Sequence, residues 1–164
     1  MKTAKKRKAL FLDRDGTVNI EREYVYKIED FEFQPGIFEL IRAFRKEGYL
    51  IFIITNQSGI ARGLYSENEY LQLTDWMTKE FEKRDIRIEK VYHCPHHPDF
   101  TGDCDCRKPK PGLILQAIKA YNIDRTESVL IGDTDRDLEA GRRAGIRKTL
   151  YIQDILKTGI YKTD

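Results

Sequence analysis

Close to the start of the chain, an apolar run leads directly into two aspartates, in the order Phe11-Leu12-Asp13-Arg14-Asp15-Gly16-Thr17. The run Lys8–Leu12 reads as a buried strand, and a glycine after the second aspartate permits a sharp turn. Like charges this close repel each other unless a cation holds them. The alternative is an ordinary turn, because Asp and Gly are common in turns.

Apolar runs and amphipathic segments alternate along the rest of the chain. Further strands are predicted at residues 49–54, 87–92, 128–131 and 147–152. The predicted helices open at Pro35 and Gly36, at a capping box of Ser66 and Glu69, at Pro111, and at Asp135, which caps a helix running to about Arg143. Regular alternation predicts an α/β fold with a central parallel sheet and helices on both faces.

Polar residues follow three of these predicted strands. They are Asp13 and Asp15 after the first, Thr55 and Asn56 after the second, and Asp133 in Ile131-Gly132-Asp133. In open parallel sheets, ligands bind at the carboxyl ends of the strands. Three carboxylates in oxygen-rich surroundings suit Mg²⁺, which pairs naturally with phosphate. A phospho-acceptor signalling domain also clusters aspartates at strand ends and is the alternative.

A second cluster of metal-ligand residues comprises all three cysteines of the chain. Cys94-x-His96 and Cys104-x-Cys106 together offer four soft ligands, which suit a closed, structural zinc site in a loop at 94–106. His93 and His97 are rival ligands that spacing does not exclude, and an uncoordinated loop with free thiols is the further alternative. An odd number of cysteines without an export signal argues against a disulfide framework.

Arg107 and Lys108 follow this loop directly. A loop clamped by metal would hold both side chains near the strand-end site. A guanidinium can bind a second phosphate in a bidentate manner, which a lysine does less well. The alternative for Arg107 is a solvated position on the loop surface.

Composition limits the remaining possibilities. The chain has 164 residues and a formal net charge of +2, so we expect one domain at 8–164, preceded by a basic tail at 1–7. Near-balanced charge gives no case for a nucleic-acid or membrane partner, and no apolar run approaches the length of a membrane span. We expect a cytoplasmic monomer that acts on a small molecule.

The combination of motifs resembles the haloacid dehalogenase superfamily of phosphatases over essentially the whole chain. The matching residues are Asp13-x-Asp15-Gly16-Thr17, then Thr55, then Lys108, then Gly132-Asp133 with Asp137. The resemblance implies that Asp13 attacks phosphorus and that Asp15 acts as general acid and then as base. It also implies that Asp13, Asp133 and the backbone carbonyl of Asp15 hold Mg²⁺, that Thr55 and Lys108 hold the phosphoryl oxygens, and that Asp137 orients the site.

Within that superfamily, the sequence resembles the D-glycero-D-manno-heptose 1,7-bisphosphate 7-phosphatase family. The resemblance rests on the zinc-type loop, Thr55–Gly63, Asn19, Tyr24, Phe31-Glu32-Phe33 and Cys106–Gly112. It implies hydrolysis of the C7 phosphate in nucleotide-activated heptose synthesis, which feeds lipopolysaccharide or another surface glycan. It also implies a pocket lined by Glu21, Arg22, Glu23, Tyr24, Thr55, Asn56, Gln57, Ser58, Arg107 and Lys108.

Segments 19–34 and 59–66 are too short to fold as separate caps, so loops must select the substrate. Histidinol-phosphate phosphatases share the nucleophile motif and the zinc loop and are the second candidate. A non-enzymatic, zinc-stabilised interaction module is the third. Thr134 departs from the family pattern, since many relatives carry a basic residue after the Gly-Asp pair. This departure predicts a missing positive charge at the edge of the site.

Overall fold

The computed structural model describes residues 4–158. Five strands form one parallel sheet: β1 (Ala9–Leu12), β2 (Leu50–Asn56), β3 (Lys90–Cys94), β4 (Val129–Gly132) and β5 (Lys148–Tyr151). Their spatial order is β3-β2-β1-β4-β5, so β1 lies at the centre. The predicted α/β fold with a central parallel sheet is confirmed.

Six helices connect and flank the strands: α1 (Ile37–Lys46), α2 (Glu67–Glu82), α3 (Pro98–Thr101), α4 (Gly112–Tyr121), α5 (Asp135–Arg143) and α6 (Ile152–Thr158). Successive side chains of β1 point to opposite faces of the sheet. Leu10 and Leu12 pack with the apolar faces of α1 and α2, whereas Ala9 and Phe11 pack with α4 and α5. Helices therefore cover both faces, as a sheet buried on both sides requires.

Several element boundaries differ from those predicted. Thr55 and Asn56 form the end of β2 rather than following it, because they pair with His93 and Cys94 of β3. The third strand begins at Lys90 instead of residue 87. The last strand ends at Tyr151, and α6, which was not predicted, begins at Ile152, whose side chain is buried in the core.

The helix starts are partly as predicted. The capping box of Ser66 and Glu69 is present at α2. The cap of α5 is Thr134, and the predicted cap Asp135 is wrong. Asp137 explains the difference, because its Oδ2 accepts hydrogen bonds from the backbone N–H and the hydroxyl of Thr134.

The segment between β1 and α1 and the start of the described chain lie outside the sheet. Between β1 and α1, the only helical element among the described residues is a 3₁₀ turn at Ile28–Asp30, so no separate cap domain stands there. The backbone of Arg7, in the predicted tail, forms two hydrogen bonds: its N–H donates to the carbonyl oxygen of Asn122, and its carbonyl oxygen accepts from the N–H of Asp124. Residues 1–3 lie outside the described part. Within residues 4–158, none of the helices combines the length and the apolar character needed to cross a membrane.

Candidate active site

A cleft of about 270 Å³ opens at the carboxyl edge of the sheet. Most of the predicted site residues line it: Asp13, Asp15, Glu21, Glu23, Tyr24, Asn56, Gln57, Ser58, Arg107, Lys108 and Asp133. Four further residues line it that were not predicted as pocket contacts: Tyr65, Thr134, Arg136 and Asp137. The strand ends therefore bring together residues that are more than 100 positions apart in the sequence.

Lys108 is the cation at the centre of this site. Its side chain is 4 % exposed, and its Nζ lies 2.6 Å from Oδ1 of Asp13, 2.6 Å from Oδ1 of Asp137 and 2.8 Å from the carbonyl oxygen of Ile54. Burial works against its charge, but Asp13 and Asp137 outweigh burial and raise the pKa of Lys108. Lys108 is therefore a fixed ammonium beside Asp13.

Three carboxylates converge around that ammonium. Ligand oxygens of Asp13, Asp133 and Asp137 all lie within 4.8 Å of one another. Burial, together with the charges of Asp137 and Asp133, raises the pKa of Asp13 well above its ordinary value, even though Lys108 opposes the shift. Burial also raises the pKa of Asp133 to about 6. One ammonium does not neutralise three carboxylates, so the cluster needs a further cation to be fully ionised.

The donor set fits a magnesium ion. Oδ1 of Asp133 is buried and has no hydrogen-bond partner in the described part of the chain, so it is available as a ligand. Asp137 is less available: Oδ1 accepts from Lys108, and Oδ2 accepts from the backbone N–H groups of Asp133 and Thr134. Lys108 outweighs the effect of burial and lowers the pKa of Asp137. These contacts agree with the orienting role expected for Asp137.

Glycines allow the carboxylates to approach so closely. Gly16 has a φ of 90°, and a Cβ there would come 1.9 Å from Oδ2 of Asp133. A Cβ on Gly132 would come 2.4 Å from the Cβ of Asp137. Any side chain at either position would displace a carboxylate of the cluster.

Asp15 is held from three directions. Its carboxylate accepts hydrogen bonds from Arg14 Nη2 at 2.9 Å, from Asn19 Nδ2 at 3.0 Å and from Gln57 Nε2 at 3.1 Å. Arg14 is 1 % exposed and also donates to the carbonyl oxygen of Val25 at 2.8 Å. Arg14 was not predicted as a site residue, because an arginine inside a turn motif gives no signal that it is buried.

Gln57 connects Asp15 to the second strand. It donates to Thr55 Oγ1 at 2.8 Å and accepts from the hydroxyl of Tyr65 at 2.5 Å. Tyr65 packs so tightly on Gly59 that a Cβ on this glycine would come 2.1 Å from the ring. No pattern in the sequence links Gln57 to Tyr65, so this contact required the structure.

Two predicted pocket residues are not among those that line the cleft. Arg22 instead forms an ion pair with Glu32 and donates to the carbonyl oxygen of Asp30, and its side chain is 49 % exposed. Thr55 is 1 % exposed, and its hydroxyl oxygen accepts a hydrogen bond from Gln57. Asn56 lines the cleft and also exchanges two hydrogen bonds with the backbone of Lys108, which fixes that residue beside β2.

The cysteine and histidine cluster forms as the spacing predicted. The ligand atoms of Cys94, His96, Cys104 and Cys106 lie within 4.8 Å of one another, and no disulfide joins them. The rival ligands have other partners. Nε2 of His93 lies 2.6 Å from Oε1 of Glu67, and Nε2 of His97 lies 3.0 Å from Nη2 of Arg62. The cluster is compatible with zinc.

The thiol pKa values differ within this cluster: burial raises those of Cys94 and Cys106, so a cation is needed to hold them as thiolates. Burial opposes ionisation of Cys104, but the backbone N–H groups of Arg107 and Cys106 outweigh burial and lower the pKa of the thiol to about 7. A thiol that ionises near neutral pH is a ready metal ligand. Because the side chain of Arg107 lines the cleft, its backbone N–H connects the cysteine and histidine cluster to the cleft.

Two arginines, Arg107 and Arg136, also line the cleft. Burial, reinforced by the charge of Arg136, lowers the pKa of Arg107, and Nη1 of Arg107 is buried without a hydrogen-bond partner in the described residues. Arg136 lines the same cleft, two residues after Thr134. The cleft therefore keeps a positive charge near the position where Thr134 predicted its absence.

Known proteins resemble this chain along most of its length. A family model described as "HAD-hyrolase-like" matches residues 105–163. The D-glycero-alpha-D-manno-heptose-1,7-bisphosphate 7-phosphatase of Campylobacter jejuni is 53 % identical over 154 residues, covering 94 % of this chain and 87 % of the relative. The D-glycero-beta-D-manno-heptose-1,7-bisphosphate 7-phosphatase of Haemophilus influenzae is 47 % identical, covering 89 % and 82 %.

A solved structure extends the similarity to the fold. The D,D-heptose 1,7-bisphosphate phosphatase from B. bronchiseptica, in complex with magnesium and phosphate, superposes with a TM-score of 0.80 at 32 % identity, covering 87 % of this chain and 79 % of that one. Sequence and fold agree, and the relatives are phosphatases. The chain belongs to the heptose 1,7-bisphosphate 7-phosphatase family of haloacid dehalogenase-type hydrolases.

Proposed function

We propose that this phosphatase removes the C7 phosphate of D-glycero-D-manno-heptose 1,7-bisphosphate through an aspartyl-phosphate on Asp13, in the synthesis of nucleotide-activated heptose. The carrying observation is the placement of Asp13 beside the buried ammonium of Lys108, in a cleft that two arginines also line. A substrate with two phosphates matches a cleft with cationic groups at two places.

Magnesium fits the carboxylate cluster, with Asp13, Asp133 and the backbone carbonyl of Asp15 as its proposed protein ligands. When bound, Mg²⁺ would neutralise charge on the cluster and on the phosphoryl oxygens. Three observations support this proposal: the unpartnered Oδ1 of Asp133, the excess of carboxylates over ammonium, and the magnesium in the related solved structure. The proposed zinc ligands are Cys94, His96, Cys104 and Cys106, with a structural role.

In the first step, a carboxylate oxygen of Asp13 attacks phosphorus, and the bond between phosphorus and the C7 oxygen breaks. Asp15 gives its proton to the leaving alkoxide. Lys108 holds a phosphoryl oxygen and stabilises the charge that develops on it. Lys108 is already fixed by Asp137 and Ile54, so little reorganisation is needed when the substrate reacts.

In the second step, Asp15 takes a proton from water, and the water oxygen attacks the same phosphorus. The bond between Asp13 and phosphorus breaks, which releases phosphate and restores the carboxylate. The contacts of Asp15 with Arg14, Asn19 and Gln57 support this role, since they orient its carboxylate in both steps. The hydroxyl of Thr55, which accepts a hydrogen bond from Gln57, is a proposed contact of the transferred phosphoryl group.

The test is a set of phosphate-release assays with Mg²⁺ on both anomers of heptose 1,7-bisphosphate, on heptose 7-phosphate and on histidinol phosphate. We expect a heptose bisphosphate to be the best substrate and ³¹P NMR to show that the C1 phosphate stays on the sugar. Chelation of Mg²⁺ should abolish turnover. A preference for histidinol phosphate, or loss of the C1 phosphate instead, would contradict the proposal.

A further inference from the structure

Arg136, in the first turn of α5, lines the same cleft as Arg107. We infer that Arg136 and Arg107 together bind the remote phosphate of the substrate, the one that is not hydrolysed, and that Arg136 makes the enzyme selective for bisphosphates. This inference rests on the proposed function and adds a substrate-binding residue to it.

The first support is that Arg136 is exposed and has no hydrogen bond or ion pair with any residue in 4–158. Both of its neighbours in the sequence are acidic, but adjacent residues of a helix do not face each other. Asp135 is engaged by the hydroxyl of Tyr151, and Asp137 by Lys108 and two backbone N–H groups. The guanidinium of Arg136 is therefore free for a ligand in the cleft.

The second support is that helix stability gives no reason for an arginine at this position. Arg136 is the second residue of α5, where the aligned peptide dipoles place partial positive charge. A cation in the first turn of a helix is unfavourable, whereas the basic residues of the last turn, Arg142 and Arg143, are favourable there. The position of Arg136 thus fits binding of an anion better than it fits stabilisation of the helix.

The third support is the pairing with Arg107. Arg107 and Arg136 line one cleft, and two guanidinium groups placed in this way repel each other. Nη1 of Arg107 is buried and unpartnered, which is costly unless a ligand supplies the acceptor. A phosphate dianion would relieve the repulsion and accept hydrogen bonds from both groups.

The fourth support is the distribution of charge around the cleft. Lys108 is committed to Asp13 and Asp137, and in the proposed mechanism it serves the reacting phosphate. Glu21 and Glu23 also line the cleft and bring acidic side chains to it. Carboxylates repel a phosphate, so the two arginines are the favourable place for the second one.

The experiment compares Arg136→Gln with Arg142→Gln, using the full chain with Mg²⁺ and zinc. Arg142 is a matched control, since it lies on the same helix, is 57 % exposed and pairs with Glu139 outside the cleft. Each variant is assayed on heptose 1,7-bisphosphate and on heptose 7-phosphate, and its melting temperature verifies the fold.

We expect Arg136→Gln to lower kcat/KM on the bisphosphate by about tenfold or more, the effect of losing a charge-assisted contact. Its loss on the monophosphate should be several times smaller, and Arg142→Gln should change neither substrate. Equal losses on the two substrates, or an equal effect of Arg142→Gln, would overturn the inference. Failure of the wild-type enzyme to prefer the bisphosphate would instead reject the proposed function.

A double variant tests whether the two arginines share one phosphate. If they do, the loss on the bisphosphate for Arg107→Gln with Arg136→Gln should differ from the product of the two single losses, because contacting groups are not additive. Losses that multiply on the bisphosphate would show that the two residues act separately, which contradicts a shared binding site.

Discussion

Two clusters suited to metal occur within residues 4–158, and they differ in what surrounds the ligands. The carboxylates of Asp13, Asp133 and Asp137 come from the ends of two strands and the first turn of α5, and they open into a cleft. The cysteine and histidine ligands instead lie at the end of β3 and in the loop after it, and they face one another. Four soft ligands leave zinc no open position, whereas the oxygen cluster leaves room for a substrate.

The two clusters are joined by three consecutive residues. Cys106 belongs to the cysteine and histidine cluster, Arg107 lines the cleft, and Lys108 contacts Asp13. We propose that the cysteine and histidine cluster helps to position Arg107 and Lys108, the two cations proposed to contact the substrate. We infer from this contrast that the carboxylate cluster performs the chemistry and that the other cluster holds residues that assist it, a division that the following predictions test.

The largest effect is expected for Asp13→Asn. The amide is nearly isosteric but is a poor nucleophile and a poor metal ligand, so kcat should fall by at least about 10³-fold while the fold survives. Steady-state kinetics and a melting curve measure both. Asp99→Asn, at a side chain that is 82 % exposed, is the matched control and should retain full activity. Near-normal activity of pure Asp13→Asn enzyme would contradict the mechanism.

A smaller loss is expected for Lys108→Met. It removes the charge that holds a phosphoryl oxygen, so kcat/KM should fall by about 10²–10³-fold. It also leaves Asp13 and Asp137 buried without their cation, which should cost about 3 kcal/mol or more in the free energy of unfolding. Denaturant titration measures that loss. Lys110→Met, whose lysine pairs with Asp103 at a more exposed position, should show neither effect.

On the soft cluster, Cys104→Ser should remove zinc and reduce stability more than it affects the chemical step. We expect zinc content to fall from about one ion per chain and the melting temperature to fall by at least about 5 °C. His97→Gln is the control, because the ring of His97 contacts Arg62 rather than the cluster. Loss of zinc from His97→Gln but not from Cys104→Ser would show that the ligand set is wrong.

The smallest effect concerns pH and the carboxylate cluster. Burial raises the pKa of Asp133 to about 6, so below that pH the folded, metal-free protein holds a proton that the unfolded chain releases near pH 4. The stability contributed by that proton is lost as the pH rises through about 6. Mg²⁺ can take its place, because metal competes with protons for the carboxylate.

We therefore expect Mg²⁺ to raise the melting temperature more at about pH 7.5 than at about pH 5. Asp133→Asn should reduce this dependence on pH, and Asp13, whose pKa burial also raises, should retain the rest. An increase that is as large at the lower pH as at the higher one would mean that Asp133 is not the titrating ligand.

How much of this could be predicted from the sequence depends on the range of the interaction. Apolar runs followed by aspartates indicated the sheet and its functional edge, and paired soft ligands indicated the second cluster. The end of β2 was misplaced because Thr55 and Asn56 gain strand structure only from pairing with β3. The burial of Arg14 and the bond between Tyr65 and Gln57 depend on tertiary contacts that no local pattern encodes.

Charge shows the same limit. Thr134 predicted a missing positive charge at the edge of the site, whereas Arg136 lines the same cleft. Reading along the chain did not indicate a role for Arg136, because an exposed arginine on a helix is usually solvated. Only the positions of the partners of Asp135 and Asp137 showed that Arg136 is left unpaired.

The most direct test of the central claim is to identify the residue that carries the phosphoryl group during turnover. Enzyme that is mixed with heptose bisphosphate, quenched in acid within one turnover and reduced with borohydride should contain homoserine in place of Asp13, as read by peptide mass spectrometry. The reason is that borohydride reduces an acyl phosphate but leaves a free carboxylate intact. Asp13 unmodified under conditions where phosphate is released, or modification at another residue, would contradict the account.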